Sequence, residues 1–221
     1  MAKPESAGSL ETRQRLLEAA GEIFAEQGFH NATVRDVCQR AGANIAAVNY
    51  HFGDKEGLYT AVLRYAHQCA TEKYSPEMAF ASEGNVPAEQ RLCMFVRSFL
   101  RHIFDEGQPA WHGKLMSREM MEPTPALEVL VKEEIRPRAE MLEAIIRELL
   151  GRRASPERVR LCVRSIIGQC IFYHHARPVI TRLDPQQGFS PRDIERVADH
   201  ITQFSLAALR QLAGEKEIRR R

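Results

Sequence analysis

The sequence lacks a hydrophobic run that could cross a membrane, since no apolar stretch approaches the ~18 to 20 residues that a transmembrane helix needs. Residues 1–9 also lack the apolar stretch of a signal peptide. The five cysteines are scattered and include no Cys-x-x-Cys pair, which favours reduced, mostly buried thiols. We therefore expect a cytoplasmic protein.

An excess of charge of one sign is also missing. Lys and Arg number 31 against 29 Asp and Glu, which gives a formal net charge of +2. Through residue 60 the balance is acidic, with six basic and eight acidic residues. Charge totals therefore argue against DNA binding, and a nucleic-acid function would have to depend on which face carries which charge.

The signatures of common enzyme classes are absent as well. The chain contains no Gly-x-Ser-x-Gly, no Gly-x-x-x-x-Gly-Lys, no Gly-x-Gly-x-x-Gly and no His-Glu-x-x-His. We therefore expect a protein that is not an enzyme and that uses no cofactor or metal. Apolar residues make up 44% of the chain and charged residues 27%, proportions that are typical of a folded globular protein.

Apolar residues recur at helical spacing along the chain, and no alternating strand pattern competes with them. One such stripe runs from Leu10 to Gln27, and Gly28 ends it. Thr33 with Asp36 three residues later indicates a capping box that opens a short second helix, which Gly42 stops. The spacing predicts an all-α fold of about nine helices, with an N-terminal three-helix helix-turn-helix domain and a C-terminal helical domain.

Proline and capping residues mark helix boundaries in the second half of the chain. A loop rich in polar residues is expected from Tyr74 to Pro87. The pair Thr124-Pro125 opens a helix near 125–150, the pair Ser155-Pro156 opens one near 156–177, and Pro137 predicts a kink near Arg136. A last helix is expected from 190 to 213. The predicted domains are a flexible arm (1–9), a DNA-binding domain (10–56), a connecting helix (57–73), a ligand-binding and dimerisation domain (74–214) and a basic tail (215–221).

Two short helices joined by the tight turn Ala41–Ala43 have the arrangement of a helix-turn-helix. The second of them, Ile45–His51, suits the DNA major groove because Ala46 and Ala47 allow close approach. Asn49 can pair with a base edge. Tyr50 and His51 can reach a phosphate or a base.

The motifs Thr33-Val34-Arg35-Asp36-Val37, Ala41-Gly42, Asn49-Tyr50-His51-Phe52 and Asp54-Lys55-Glu56-Gly57-Leu58, in this order, resemble the TetR family of bacterial repressors. The resemblance extends from about Thr12 to Leu63. It implies phosphate contacts by Thr33, Tyr50, His51 and Lys55, and base contacts by Arg35, Asn44, Ala47 and Asn49. The family pattern usually has an aromatic residue where this chain has Asn49.

Structural roles remain open for several of these residues. His51 next to Phe52 can close a small core instead of contacting DNA, and Lys55 can be a solvated lysine at a helix start. Phe52 itself is expected in the core.

The segment from Arg118 to Leu127 resembles a TetR subgroup called CerR-like or YbiH-like. Large or adaptable side chains in the C-terminal part can line a ligand cavity, or can simply form core. They are Phe95, Phe99, Trp111, Met116, Met120, Met121, Phe172 and Tyr173. His102, His174 and His175 do not have the spacing of metal ligands, and no cysteine shows the surroundings of a thiol sensor.

These patterns together predict a DNA-binding regulator that acts as a homodimer. The predicted partners are a palindromic double-stranded DNA operator and a small-molecule inducer that releases the protein from it, without membrane association. The helices near 156–177 and 190–213 are expected to form the dimer. A ligand-independent DNA-binding protein or a helical scaffold is the alternative.

Overall fold

A computed structural model describes residues 7–71, 86–105 and 111–218. Every regular element in these ranges is helical, which confirms the predicted all-α fold class. The predicted arm up to residue 6, the predicted loop from 74 to 85 and the final Arg219–Arg221 of the basic tail lie outside the described residues. The helices are α1 (Ala7–Asn31), α2 (Val34–Ala41), α3 (Ile45–Phe52), α4 (Lys55–Thr71), α5 (Ala88–Ile103), α6 (His112–Met121), α7 (Ala126–Leu130), a π-helical segment (Val131–Ile135), α8 (Arg136–Leu150), α9 (Pro156–His175), α10 (Arg177–Leu183) and α11 (Pro191–Ile218).

The chain forms two compact units that do not follow the predicted linear domains. Unit 1 contains α1, α2, α3 and α4 up to Cys69, together with α6, α7 and the π segment; unit 2 contains α5 and α8 to α11. The predicted ligand-binding and dimerisation domain is thus divided, because the described residues of 106–135 pack in unit 1. Helical periodicity shows that a segment is amphipathic but not which core its apolar face joins.

The core of unit 1 is formed by apolar side chains of its first four helices and of α6. Leu16 and Phe24 of α1, Val37 of α2 and Val48 of α3 are almost completely buried in it. Trp111, just before α6, lies directly against α1. A Cβ atom at Gly21 would fall 2.3 Å from the indole ring, so the absence of a side chain there allows this close approach.

Two adjacent charged residues tie α6 to α1 and α4. Arg118 donates from Nε to the Ala25 carbonyl oxygen at 2.9 Å and from Nη2 to the Glu26 carbonyl oxygen at 3.0 Å. These carbonyls precede Gly28, where α1 leaves helical geometry (φ 80°, ψ 164°). Glu119 is completely buried and accepts a hydrogen bond from the Tyr59 hydroxyl of α4 at 2.6 Å.

The π segment lies where the kink near Arg136 is expected, immediately before it. Pro137 has no N–H and cannot donate to the carbonyl of Glu133, so regular α-helical bonding fails there. Glu133 of the segment accepts from Arg64 Nη2 of α4 at 2.7 Å, and Glu134 lies 3.2 Å from Nδ1 of the buried His67.

Unit 2 packs α5, α8, α9 and α11 around a second apolar core. Ion pairs join α5 to α11, with Arg97 Nη2 2.6 Å from Asp199 and Arg101 Nε 2.7 Å from Glu195. The expected helix at 156–177 ends at His175, and the separate short helix α10 that follows was not predicted. No helix within the described ranges is long and apolar enough to cross a lipid bilayer.

Candidate nucleic-acid interface

The start of α2 is fixed by the predicted capping box. Thr33 Oγ1 accepts from the Asp36 backbone N–H at 3.1 Å, and Asp36 Oδ2 accepts from the Thr33 backbone N–H at 3.3 Å. The Thr33 hydroxyl lies 2.6 Å from the same Asp36 oxygen, to which it donates its proton. If the Thr33 hydroxyl is to donate to a phosphate as predicted, its O–H must therefore rotate away from Asp36.

The turn between α2 and α3 follows the helix-turn-helix arrangement. Gly42 adopts a left-handed conformation (φ 61°, ψ 38°), which glycine occupies without a steric penalty from a side chain. Asn44 then caps α3, because its Oδ1 accepts from the Ala47 backbone N–H at 2.8 Å. The base contact predicted for Asn44 would therefore use the Nδ2 donor group of its amide.

Helix α3 buries one face and exposes the other. Val48 is completely buried in the core of unit 1, whereas Ala46, Asn49 and Tyr50 are exposed. Tyr50 exposes 73% of its surface, which is unusual for a large aromatic residue. Ala47 is half-buried beside this face. The exposed face therefore combines small residues with hydrogen-bonding groups, as the sequence predicts for a helix in the major groove.

His51 and Lys55 lie half-buried at the end of the same region. The His51 ring centroid is 4.9 Å from that of Tyr50 and 5.9 Å from that of Phe52, so His51 is neither a core residue nor fully solvated. Lys55 Nζ donates to the His30 carbonyl oxygen at 3.3 Å and lies 4.6 Å from the Phe29 ring centroid. Because an ammonium group has three donors, Lys55 retains others for a phosphate.

Part of the acidic excess of the N-terminal region is neutralised within unit 1. Arg40 of α2 lies 3.3 Å from both Glu22 and Glu26 of α1. Arg35 is exposed on α2 and points about 140° away from Arg40 around the helix, since successive residues differ by about 100°. Arg35 therefore does not lie on the face of α2 from which Arg40 pairs with these glutamates.

Two arginines of α1 that belong to none of the sequence motifs support the helix-turn-helix. The Arg13 guanidinium lies 5.5 Å from the Phe52 ring centroid at the end of α3. Arg15 Nη1 donates to the Ala41 carbonyl oxygen at 3.3 Å, at the end of α2. Neither contact has a sequence signal, because both join residues that are far apart in the chain.

The side chains predicted to line a ligand cavity are divided between the two units. Phe95 and Trp111 are buried in the cores of unit 2 and unit 1, respectively. Met121 exposes 84% of its surface and Phe172 58%, so these two do not line an enclosed cavity in the described structure. The ligand-binding assignment stays a prediction. Unit 1 contains Trp111, Met116, Met120 and Met121, and unit 2 contains Phe95, Phe99, Phe172 and Tyr173.

Cysteines and histidines form no further site in the described ranges. Burial raises the pKa of the Cys170 thiol to about 12 and also raises the pKa values of Cys38 and Cys162, so these thiols stay protonated at neutral pH. No three His, Cys, Asp or Glu residues among those described are grouped so as to hold a metal ion.

Two family models match the chain. The model described as bacterial regulatory proteins of the tetR family matches residues 16–62, which include α2 and α3. The model described as the C-terminal domain of the HTH-type transcriptional dual regulator CecR matches residues 88–209. The second match includes α6 and supports, under the name CecR, the subgroup resemblance around Arg118.

Individual relatives agree with these matches. The HTH-type transcriptional dual regulator CecR of Shigella flexneri is 26% identical over 198 residues, which cover 87% of this chain and 88% of the relative. The HTH-type transcriptional repressor AcnR of Corynebacterium glutamicum is 45% identical over 53 residues, which cover 24% of this chain and 28% of that protein.

Solved structures share the fold. The transcriptional regulator FadR from Bacillus subtilis, in complex with stearoyl-CoA, has a TM-score of 0.61 at 15% identity, over 87% of this chain and 97% of that one. The TetR family regulator PfmR from Thermus thermophilus has a TM-score of 0.61 at 21% identity, over 88% and 95% of the two chains.

Proposed function

Because the chain belongs to the TetR family of bacterial transcriptional regulators and has a CecR-type C-terminal domain, we propose that it is a ligand-responsive repressor. It binds a palindromic operator as a homodimer in the cytoplasm, and a small molecule releases it. The observation that carries this proposal is the exposed face of α3. There Asn49 and Tyr50 flank the small Ala46 on a helix whose start is fixed by Asn44.

The proposed DNA contacts divide into base recognition and phosphate attraction. Asn49 is assigned to base edges because it is exposed on α3, and Tyr50, which is exposed on the same helix, is assigned to the phosphates. Base contacts provide specificity, whereas phosphate contacts position the protein and provide affinity for any duplex. The assigned base contacts are Arg35, Asn44, Ala47 and Asn49, and the assigned phosphate contacts are Thr33, Tyr50, His51 and Lys55.

The homodimer is proposed to form through α9 and α11. Leu161 and Phe172 of α9 expose 53% and 58% of their surfaces, and Phe204 of α11 exposes 60%. A Cβ atom at Gly168 of α9 would meet no atom within 4 Å, so this position offers open backbone for a close helix contact. Burial of these apolar side chains against a second copy removes them from water and favours association.

The ligand response is proposed to act through α6 and the π segment. Both lie within the match to the CecR C-terminal domain, yet both pack in unit 1. Arg118 and Glu119 bond to α1 and α4, and Glu133 bonds to Arg64 of α4. A ligand that favours a different position of α6 therefore acts directly on the helices that hold α3.

Selection from a random pool of DNA duplexes tests the proposal. The recovered sequences should share an inverted repeat whose half-site centres lie about one helical turn (~34 Å), or slightly more, apart. An Ala46→Glu variant is the matched control, since it adds a negative charge to the exposed face of α3 and should enrich no repeat. Recovery of unrelated sequences by the unmodified protein would contradict the proposal.

A ligand-independent DNA-binding protein or helical scaffold is the second candidate, and the exposure of Met121 and Phe172 favours it over an enclosed cavity. The two candidates differ in their response to small molecules. A ligand that binds only the folded protein raises its melting temperature. An inducer should raise the melting temperature and also weaken operator binding, whereas a compound library without such a member would favour the second candidate.

A further inference from the structure

We propose that Ile45 contacts the 5-methyl group of a thymine in each operator half-site, which makes the start of α3 selective for an A·T base pair. This inference rests on the proposed function, because it names a chemical feature of the DNA that the repressor binds. Ile45 is not among the residues that the sequence pattern assigns to DNA contact.

The exposure of Ile45 is the first observation. Ile45 is the first residue of α3, directly after the Asn44 cap, and it exposes 49% of its surface. Val48, about 60° from Ile45 around the helix axis, is completely buried and supplies the aliphatic side chain that α3 adds to the core of unit 1. About half of the Ile45 surface is thus left for a contact outside the unit.

The position of Ile45 on the interface is the second observation. Asn49 follows one turn later and is also exposed, and residues four apart on a helix lie about 40° apart around its axis. Ile45 therefore belongs to the same face as the residue assigned to base contact. The N-terminal residues of a recognition helix are those that contact base edges in helix-turn-helix complexes.

The chemistry of the major groove identifies the partner. Thymine presents a methyl group there, and apolar side chains recognise thymine through contact with that methyl group. Ile45 has no polar side-chain atom, so it gains nothing from the donors and acceptors of the other bases. An unpaired polar group would instead lose its water on contact with Ile45, which disfavours those bases.

Asn49 complements this preference. An asparagine amide pairs with N6 and N7 of adenine, and α3 carries no Arg or Lys, the residues that most often bind guanine. Ile45 and Asn49 are separated by about 6 Å along the helix, and base pairs by about 3.4 Å along the duplex. The thymine methyl and the adenine edge should therefore lie one or two base pairs apart in each half-site.

Deoxyuridine substitution tests the inference, because deoxyuridine pairs like thymidine but lacks the methyl group. In the operator obtained by selection, each thymine of the half-site is replaced in turn, symmetrically in both half-sites, and the dissociation constant is measured. Substitution at one thymine position should weaken binding about fourfold per half-site, or about 16-fold in total, because one buried methyl group is lost in each half-site.

The variant Ile45→Ala should bind the thymidine and deoxyuridine operators equally at that position, and Ile45→Val should retain part of the difference. Leu10→Ala is the matched control: Leu10 is another exposed aliphatic residue of unit 1, at 53%, and its loss should leave the methyl dependence intact. Circular dichroism of Ile45→Ala should show an unchanged helix content.

Each result separates this inference from the proposed function. If the protein discriminates operator from random DNA but no thymine is sensitive to deoxyuridine, the inference is wrong and the proposed function stands. The inference is equally overturned if Ile45→Ala retains the methyl dependence. If the unmodified protein selects no operator at all, the proposed function fails and Ile45 has no thymine to contact.

Discussion

Asn49 and Lys55 distinguish, at the scale of single residues, base recognition from general attraction to DNA. We expect Asn49→Ala to weaken binding to the preferred operator by ~1 to 3 kcal/mol and to leave binding to random duplex nearly unchanged. Lys55→Ala should weaken both about equally and reduce the slope of log affinity against log salt by about one unit or less. Titrations at two or more salt concentrations measure both effects.

The two variants also control for each other. Lys55 bonds to the His30 carbonyl as well as being assigned to a phosphate, so the circular dichroism of Lys55→Ala must match that of the unmodified protein. Equal losses of specific and random binding for Asn49→Ala, with unchanged helix content, would show that Asn49 does not contact a base.

The buried Glu119 predicts a cost for losing the Tyr59 hydroxyl. Tyr59→Phe removes one hydrogen bond from a completely buried carboxyl group, which should lower the free energy of unfolding by ~1.5 to 3 kcal/mol. Tyr50→Phe is the matched control because Tyr50 is 73% exposed, and its unfolding free energy should be unchanged. Urea denaturation compares the two, and equal stabilities would contradict the structural role of this bond.

The same pair predicts how stability depends on pH. Burial, and next the hydrogen bond to Glu119, raise the pKa of Tyr59 above its ordinary value. The folded state thus holds the Tyr59 proton more tightly than the unfolded state, so this stabilisation is complete below pH ~10 and is lost as the pH rises above it. The stability difference between the unmodified protein and Tyr59→Phe should therefore shrink above pH ~10, by up to ~1.4 kcal/mol per pH unit. A constant difference would contradict the shift.

At the scale of helices, the capping residues made several boundaries predictable. The Thr33 and Asp36 box opens α2, the Ser155 side chain accepts from the Arg158 backbone N–H at 3.2 Å at the start of α9, and Ser190 bonds reciprocally with Asp193 before α11. Each signal is local, since the residues involved lie within a single helical turn.

Long-range packing explains what could not be predicted. The sequence around Arg118 and Glu119 indicates a helix, but their partners Ala25 and Tyr59 are far away in the chain. For the same reason, the sequence does not indicate that α6 packs in unit 1. On α3, the pattern identifies Asn49 and Tyr50 as exposed, whereas the exposure of Ile45 depends on how the helix docks in unit 1.

The packing of α6 against α1 depends on Gly21. Gly21→Ala places a methyl group within 2.3 Å of the Trp111 ring and should destabilise the protein by ~1 to 3 kcal/mol, although alanine favours helices. Gly8→Ala on the same helix is the matched control, because no atom lies within 4 Å of its Cβ position. Thermal unfolding followed by circular dichroism measures both. A Gly21→Ala variant at least as stable as Gly8→Ala would contradict this packing.

At the scale of the whole molecule, the exposed apolar side chains of α9 and α11 predict a dimer. Light scattering after size exclusion should give twice the chain mass of 25.2 kDa at micromolar concentration. Phe204→Glu should shift the mass towards the monomer, because it places a charge where an apolar contact is expected. Leu10→Glu, an equally drastic change at an exposed site of α1, should leave the mass unchanged. A monomeric unmodified protein would exclude the proposed dimer.

The ratio of operator affinity to random-duplex affinity shows whether this protein recognises a specific DNA sequence. It is measured by fluorescence anisotropy at physiological salt with the sequence recovered by selection and a scrambled duplex of equal length. We expect the operator to bind at least ~1,000-fold more tightly, as specific regulators do. Equal affinities for the two duplexes would show that the protein does not recognise a specific sequence.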